Sequence, residues 1–310
     1  EAMLVSDLML IEPARTPDKH HSPKLVVNLI LGLLLGGLVG LGLALLFEYV
    51  DDSIITFEDI GTDWSISRLG VIPRFKTDGD ERLIANLNLT HPIAESYRTV
   101  RNGLLYASLD KPIRVIGVTS AMPGEGKSTF SINLAISFAR EGKRVLVVDC
   151  DLRKPKQHRH FPSTSNHTGL TDLLAQSKPA SEAIQSTPVE GVDLLCSGPV
   201  PNDPGKLVES LRLRQVLLDA SKHYDIVVVD TPPTMVVNDA LVIARVVDGM
   251  VLVIESQSTT RKVLLDTRSR MASFGVEPIG VVLNKLNFKA SGYGNYIKAY
   301  DRYLVSEKVS

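Results

Sequence analysis

The chain has 310 residues, 44% of them hydrophobic and 22% charged, and its 34 lysines and arginines nearly balance 35 aspartates and glutamates. That length and composition support one large or two medium domains with an adequate core, and the near-zero net charge excludes a polybasic nucleic-acid binder. The two cysteines, Cys150 and Cys196, exclude a disulfide framework, lack metal-ligand spacing and fit a reducing compartment.

Leu4 to Glu12 read as an apolar strand, and Pro13, Pro17 and Pro23 extend the chain beyond it. From Val26 to Phe47 run twenty-two positions without an ionisable side chain, broken only by Asn28 and five glycines. As a helix, this run spans about 33 Å, matching a hydrocarbon core of roughly 30 Å. It has no polar face, unlike a helix of a soluble domain. The polar and mixed residues before it, and the lack of a cleavage pattern after it, separate it from a signal peptide. Gly32, Gly36 and Gly40 share one face, a pattern that lets membrane helices approach closely, although leucine-rich spans also carry glycine by composition alone. Arg15, Lys19 and Lys24 precede the run and acids follow it, so the positive-inside rule puts the preceding side in the cytoplasm.

Glu48 to about Thr90 read as a linker containing one clear strand, Leu69 to Pro73. Ile93, Tyr97, Val100, Leu104 and Leu105 recur at helical spacing within His91 to Leu109. Short apolar strands then alternate with helices: Ile113 to Thr119, Arg144 to Asp149, Val192 to Leu195, Ile226 to Asp230, Met250 to Ile254 and Ile279 to Leu283. This alternation predicts an α/β fold, a mostly parallel sheet with helices on both faces.

After the first of those strands comes Ala121-Met122-Pro123-Gly124-Glu125-Gly126-Lys127-Ser128-Thr129, and then a helical run from Phe130 to Arg140. The phosphate-loop pattern asks for Gly, four residues, then Gly-Lys-Ser/Thr; only the first position, Ala121, departs from it. Gly124 and Gly126 free backbone N–H groups to turn toward phosphate oxygens, and the helix N-terminus adds positive potential. Lys127 would reach the β- and γ-phosphates and the Ser128 hydroxyl would ligate magnesium, which implies ATP and Mg2+ as cofactors. Two further strands end in acids, Asp149-Cys150-Asp151-Leu152-Arg153 and Asp230-Thr231-Pro232-Pro233. Carboxylates at strand C-termini project into the ligand crevice of such sheets. Asp230 reads as a metal-holding acid, with Asp151 as a further candidate, and Asp149 or Asp151 could take a proton from an attacking hydroxyl. Either of the latter could instead cap a helix.

The loop Pro123 to Ser128, the Asp149-x-Asp151-x-Arg153 strand end and Asp230 to Pro233 resemble the nucleotide motifs of bacterial protein-tyrosine kinases, membrane-anchored components of capsule and exopolysaccharide export. The resemblance extends to Glu95-x-x-Arg98-x-x-Arg101, similar to the family's ring-forming helix motif, to the proline-flanked membrane helix, and to the segment Pro199 to Leu207. It implies a polysaccharide polymerase, an outer-membrane export channel and a cognate tyrosine phosphatase as partners, and an N-terminal truncation. Asn284 resembles the adenine-contacting asparagine of the superfamily. From the residues alone, Glu95, Arg98 and Arg101 could equally be a solvated helix face. His158, His160 and His167 lack a ligand spacing and read as surface residues.

Tyr293, Tyr296, Tyr300 and Tyr303 fall within the last eighteen residues. Their spacing of three, four and three also fits an amphipathic terminal helix; the resemblance makes them phosphoacceptors. A tail from Asn287 to Tyr303 reaches at most ~53 Å at ~3.3 Å per residue, against a domain diameter of roughly 45 Å, so transfer between subunits is within reach. Nucleotide chemistry then requires everything after Phe47 to be cytoplasmic, on the inner membrane, which overrides the lysine and arginine count. The expected organisation is the end of an extracytoplasmic domain (1–25), a membrane helix (26–47), a linker (48–90), the kinase domain (91–286) and a tyrosine tail (287–310). Two rivals share the loop: a septum-site or partitioning ATPase, whose signature lysine position is Met122 here, and a non-catalytic ATP-binding co-polymerase.

Overall fold

The computed structural model describes residues 23–61, 64, 66–74, 83–109, 111–176 and 179–287. The expected strand at Leu4 to Glu12 and the four tail tyrosines lie outside them. The chain divides into two units, Glu1–Asp51 and Asp52–Ser310. In the first, helix α1 (Leu25–Val50) contains the 23-residue stretch Leu25–Phe47, long and apolar enough to cross a membrane, with its described side chains exposed.

The second unit runs β1 (Arg68–Pro73), α2 (Pro92–Ala107), β2 (Val115–Ser120), α3 (Lys127–Ala139), β3 (Val145–Asp149), α4 (Leu170–Leu174), α5 (Ala180–Ala183), β4 (Ile184–Ser186) and β5 (Val192–Leu195). It continues through α6 (Pro204–Val208), α7 (Leu211–His223), β6 (Ile226–Asp230), α8 (Asp239–Ile243), β7 (Gly249–Glu255), α9 (Arg261–Ser273) and β8 (Gly280–Leu286). The strands form one sheet in the order β1-β8-β7-β2-β6-β3-β5-β4, parallel except for β4 against β5. Every residue of β2, β3 and β6 is buried; β3 and β6 are accordingly unbroken apolar runs ahead of their terminal acids, whereas β2 ends in Thr119 and Ser120. β4, three residues long and without alternation, left no readable pattern.

Side-chain alternation assigns the two faces. Val145, Val147, Ile226 and Val228 pack with Phe130, Leu134 and Tyr97 from α3 and α2. Leu146, Val148, Val227 and Val229 pack with Leu213, Leu217 and Ile243 from α7 and α8. Asp149 and Asp230 continue the first set, so the period of two turns both acids toward the face that carries α3.

Within the span 48–90, expected as a linker, several described residues from Ile54 onward are built into this unit. β1 pairs with β8, Ile54, Phe57 and Ile60 join Leu252, Ile254 and Leu264 in a separate cluster, and Leu83 and Ile84 enter the main core. The Ile84 N–H donates to Asn133 Oδ1 at 2.8 Å. These apolar residues are anchored one at a time, so they leave no periodic signal.

Helix α2 corrects one expectation. Its core stripe is Ala94, Tyr97, Arg101 and Leu104, with Val100 beside it. A three-residue repeat drifts about 60° per step on a 3.6-residue helix, so Arg101 turns inward instead of sharing a face with Glu95 and Arg98. Its Nη1 donates to the Ser137 carbonyl of α3 at 2.8 Å, and its Nη2 lies 2.9 Å from Glu141 Oε1. Arg98 stays 59% exposed and pairs with Glu95. Arg101→Met should therefore lower unfolding stability by about 1–3 kcal/mol, whereas Arg98→Met should change it by under about 0.5 kcal/mol. Urea denaturation of the detergent-solubilised chain, followed by fluorescence of its single tryptophan, Trp64, packed near Ile60 and Arg268, reads the difference.

Candidate nucleotide site

The loop joining β2 to α3 closes around two glycines with φ of +94°, Gly124 and Gly126. Gly126 is confined twice over, because a Cβ there would also stand 2.3 Å from Asn284 Nδ2. The loop is fastened from below. Asn284 Nδ2 donates to the Glu125 carbonyl at 2.7 Å, and Lys285 Nζ donates to the Gly124 carbonyl at 2.6 Å while pairing with Glu255 Oε2 at 2.7 Å. Lys285 holds a left-handed φ of +56°, an uncommon conformation for a long side chain. The Glu125 side chain also turns inward, accepting the Met122 N–H at 2.7 Å and the Thr259 hydroxyl, and burial pushes its carboxyl above the ordinary value. The side chains of Glu125 and Asn284, both expected as nucleotide contacts, thus brace the loop from behind.

In front of the loop lies a cleft of about 570 Å3, lined by Pro123, Gly124, Gly126, Lys127, Ser128, Thr129, Asp151, Pro232 and Pro233. A larger groove of about 1660 Å3 runs near α7 and β5, away from the loop; the chemistry-bearing residues are in the smaller one. Lys127 Nζ sits 2.8 Å from Asp151 Oδ2, 3.5 Å from Asp230 Oδ1 and 3.4 Å from Ser128 Oγ. Burial works against its charge, but Asp230, Asp151 and Asp149 outweigh burial and hold its pKa above the ordinary lysine value.

The two acids of the Asp149-x-Asp151 pair differ in setting. Asp149 is fully buried and accepts the backbone N–H groups of Asp151, Lys156 and Gln157 at 3.2, 3.0 and 2.9 Å, while burial and the neighbouring Asp230 push its pKa up to about 7. Asp151 lines the cleft beside Lys127. Three features were missed in sequence. Arg153 forms a two-point pair with Asp239 at 2.8 and 3.1 Å, the cations of Lys154, Lys156 and Arg159 rim the cleft, and Gln157 is buried behind it. Only Arg153 stood inside a motif; the others carry no local pattern.

Among the described residues no group of three or more His, Cys, Asp or Glu could hold a metal unaided. The donors present are oxygens, from the Ser128 hydroxyl and from Asp151 and Asp230. Such a set suits a hard cation that keeps several waters and takes its other ligands from phosphates, as Mg2+ does.

The AAA domain family matches residues 113–263. The tyrosine-protein kinase YwqD of Bacillus subtilis is 39% identical over 204 residues, which are 66% of this chain and 86% of that protein. The chain belongs to the bacterial tyrosine-protein kinases. The tyrosine-protein kinase wzc of Salmonella typhimurium is 32% identical across 96% of the chain, and the chain spans only 43% of that protein. The kinase domain of the Escherichia coli tyrosine kinase ETK superposes with a TM-score of 0.66 at 32% identity, covering 71% of this chain and 91% of that domain. Fold and family together imply that this kinase uses ATP with a metal.

Lys127→Met leaves Asp149, Asp151 and Asp230 facing one another without their cation. Stability near neutral pH should fall by on the order of 3 kcal/mol. Without the ammonium, the Asp149 pKa, already raised by burial and by Asp230, moves further above its unfolded value, so stability is lost as pH rises through that interval. Thermal melting of the variant should therefore worsen from about pH 5 to about pH 8 more steeply than that of the native chain.

Proposed function

We propose that this protein is a membrane-anchored tyrosine autokinase that phosphorylates Tyr293, Tyr296, Tyr300 and Tyr303 of a neighbouring copy, using ATP and Mg2+. The observation that carries the reading is Lys127 held between Asp151 and Asp230 at the floor of the loop-lined cleft. Bound MgATP would supply the phosphoryl group to be transferred. Backbone N–H groups from Gly124 to Thr129 would hold its phosphates, with Pro123 lining the cleft beside them and Asn284 bracing the loop from behind. Lys127 would neutralise charge at the transferring phosphoryl. Ser128, Asp151 and Asp230 would hold the cation. Asp151, at the cleft wall, would take the tyrosine hydroxyl proton as the oxygen–phosphorus bond forms and ADP departs. Asp149, fully engaged by backbone donors, would order the loop that presents Asp151.

Reach of the tail supports transfer between copies. Glu95 and Arg98, on the exposed side of α2, would meet the next copy in a ring, with Arg101 supporting the helix from inside. Phosphates added to the tail would loosen these contacts by like-charge repulsion. We place Val26 to Phe47 across the inner membrane, with 1–25 outside, everything after it in the cytoplasm and the kinase domain over 91–286. The glycine face would contact a partner helix. In this setting the kinase would regulate capsule or exopolysaccharide polymerisation and export, with a polymerase, an outer-membrane channel and a phosphatase as partners.

Incubation with ATP and Mg2+ followed by phosphotyrosine mapping should find phosphate on Tyr293 to Tyr303, abolished by Lys127→Met; phosphate release without tail modification would overturn the kinase reading. A Lys127→Ala copy mixed with active chain should acquire tail phosphate, and its failure to do so rules out transfer in trans. Arg98→Glu should reduce the particle mass measured by light scattering, and an unchanged mass excludes that face from the interface.

A further inference from the structure

Gln157 opens the short helical turn Gln157–Arg159 and is fully buried, yet it has no place in the chemistry above. Its Nε2 donates to the Ser128 carbonyl at 3.0 Å and to Asp230 Oδ2 at 2.9 Å. Both partners are acceptors, so the amide nitrogen must face them and the orientation of the side chain is fixed. Its backbone N–H donates to Asp149 Oδ2 at 2.9 Å. One residue therefore ties together the first turn of α3, the acid that ends β3 and the acid that ends β6.

The other end of the amide is unfilled. Gln157 Oε1 is buried and meets no hydrogen-bond donor among the described residues. Burying an acceptor without a donor is destabilising, and native structures tolerate it chiefly where a bound species completes it. Nucleotide phosphates offer acceptors and no protons, and the Lys127 ammonium points at Ser128, Asp151 and Asp230 and makes no hydrogen bond to Gln157. Water on a divalent cation is a strong donor, and Mg2+ retains several such waters.

We infer that Gln157 is a positioning residue for the cation: its amide nitrogen aims Asp230, and its amide oxygen accepts a hydrogen bond from a water in the hydration shell of the metal that accompanies the nucleotide. The inference rests on reading the cleft as a metal–nucleotide site. It asks nothing of the tyrosine tail.

The test is ADP binding by titration calorimetry on the full chain in detergent, with and without Mg2+, for the native protein, Gln157→Leu and Gln157→Asn. Leu keeps the volume and removes both polar ends; Asn keeps the amide one methylene too short to bridge. Groups just outside a metal's ligands typically change its affinity by about 10- to 100-fold. The gain in ADP affinity on adding Mg2+ should shrink by about that factor in both variants, with metal-free ADP affinity unchanged. A native-sized gain in both variants overturns the role of Gln157, as does an equal loss of metal-free affinity, which is what a purely structural residue gives. Failure of both variants to fold assigns Gln157 to the framework and likewise overturns it. A native chain that shows no gain with Mg2+ overturns the metal–nucleotide reading itself, and this inference with it. Because the readout is binding, absent tyrosine phosphorylation leaves the result intact.

Discussion

One buried ammonium among three carboxylates governs the kinase unit. Lys127 touches Asp151 and Asp230, and Asp149 stands behind them at a neighbouring register position. A single positive charge cannot balance three negative ones in a water-poor pocket. Part of the imbalance is relieved by backbone donors on Asp149 and by its tendency to keep a proton. The same charges wire the structure together: Asp149 holds the segment that follows β3, and that segment returns Gln157 to Asp230.

The loop in front of these charges owes its shape to distant strands. β8 contributes Asn284 and Lys285, which donate to the carbonyls of Glu125 and Gly124, and β7 contributes Glu255, which accepts from Lys285 and holds it in place. Arg74, just past β1, also approaches Glu255, at 3.3 Å. Because β1 lies beside β8, β1 and Arg74 are tied to the strands that support the phosphate loop. The left-handed Lys285 is the joint of this assembly: its backbone bends so that its side chain can return to the loop.

The sequence made the central strands legible to within a residue or two, because a strand buried on both faces must be apolar throughout, and it made the loop and strand-end acids legible because their spacing is local. It did not reveal what depends on contacts between distant residues. Arg101 looked like a member of a charged face, yet α3 supplies its carbonyl partner 36 residues away. Glu125 and Asn284 sat in or near motifs, and only the packing of β8 beneath the loop shows their side chains facing backward. Gln157 had no motif at all; its importance comes from three neighbours brought together by the sheet. The span 48–90 hid its role because isolated apolar anchors have no period. The tail tyrosines lie outside the described residues, so their reading stands on the family resemblance and on reach.

The two margins of the sheet are both poor templates for another strand. On one side β1 has register irregularities at Arg68/Gly70 and Val71/Pro73 and ends in proline, which lacks a backbone donor. On the other, β4 offers only three residues and runs antiparallel to the rest. Short, irregular or proline-bearing borders are how natural sheets avoid edge-to-edge growth. Crowded copies of this protein are thereby steered away from fusing their sheets end to end.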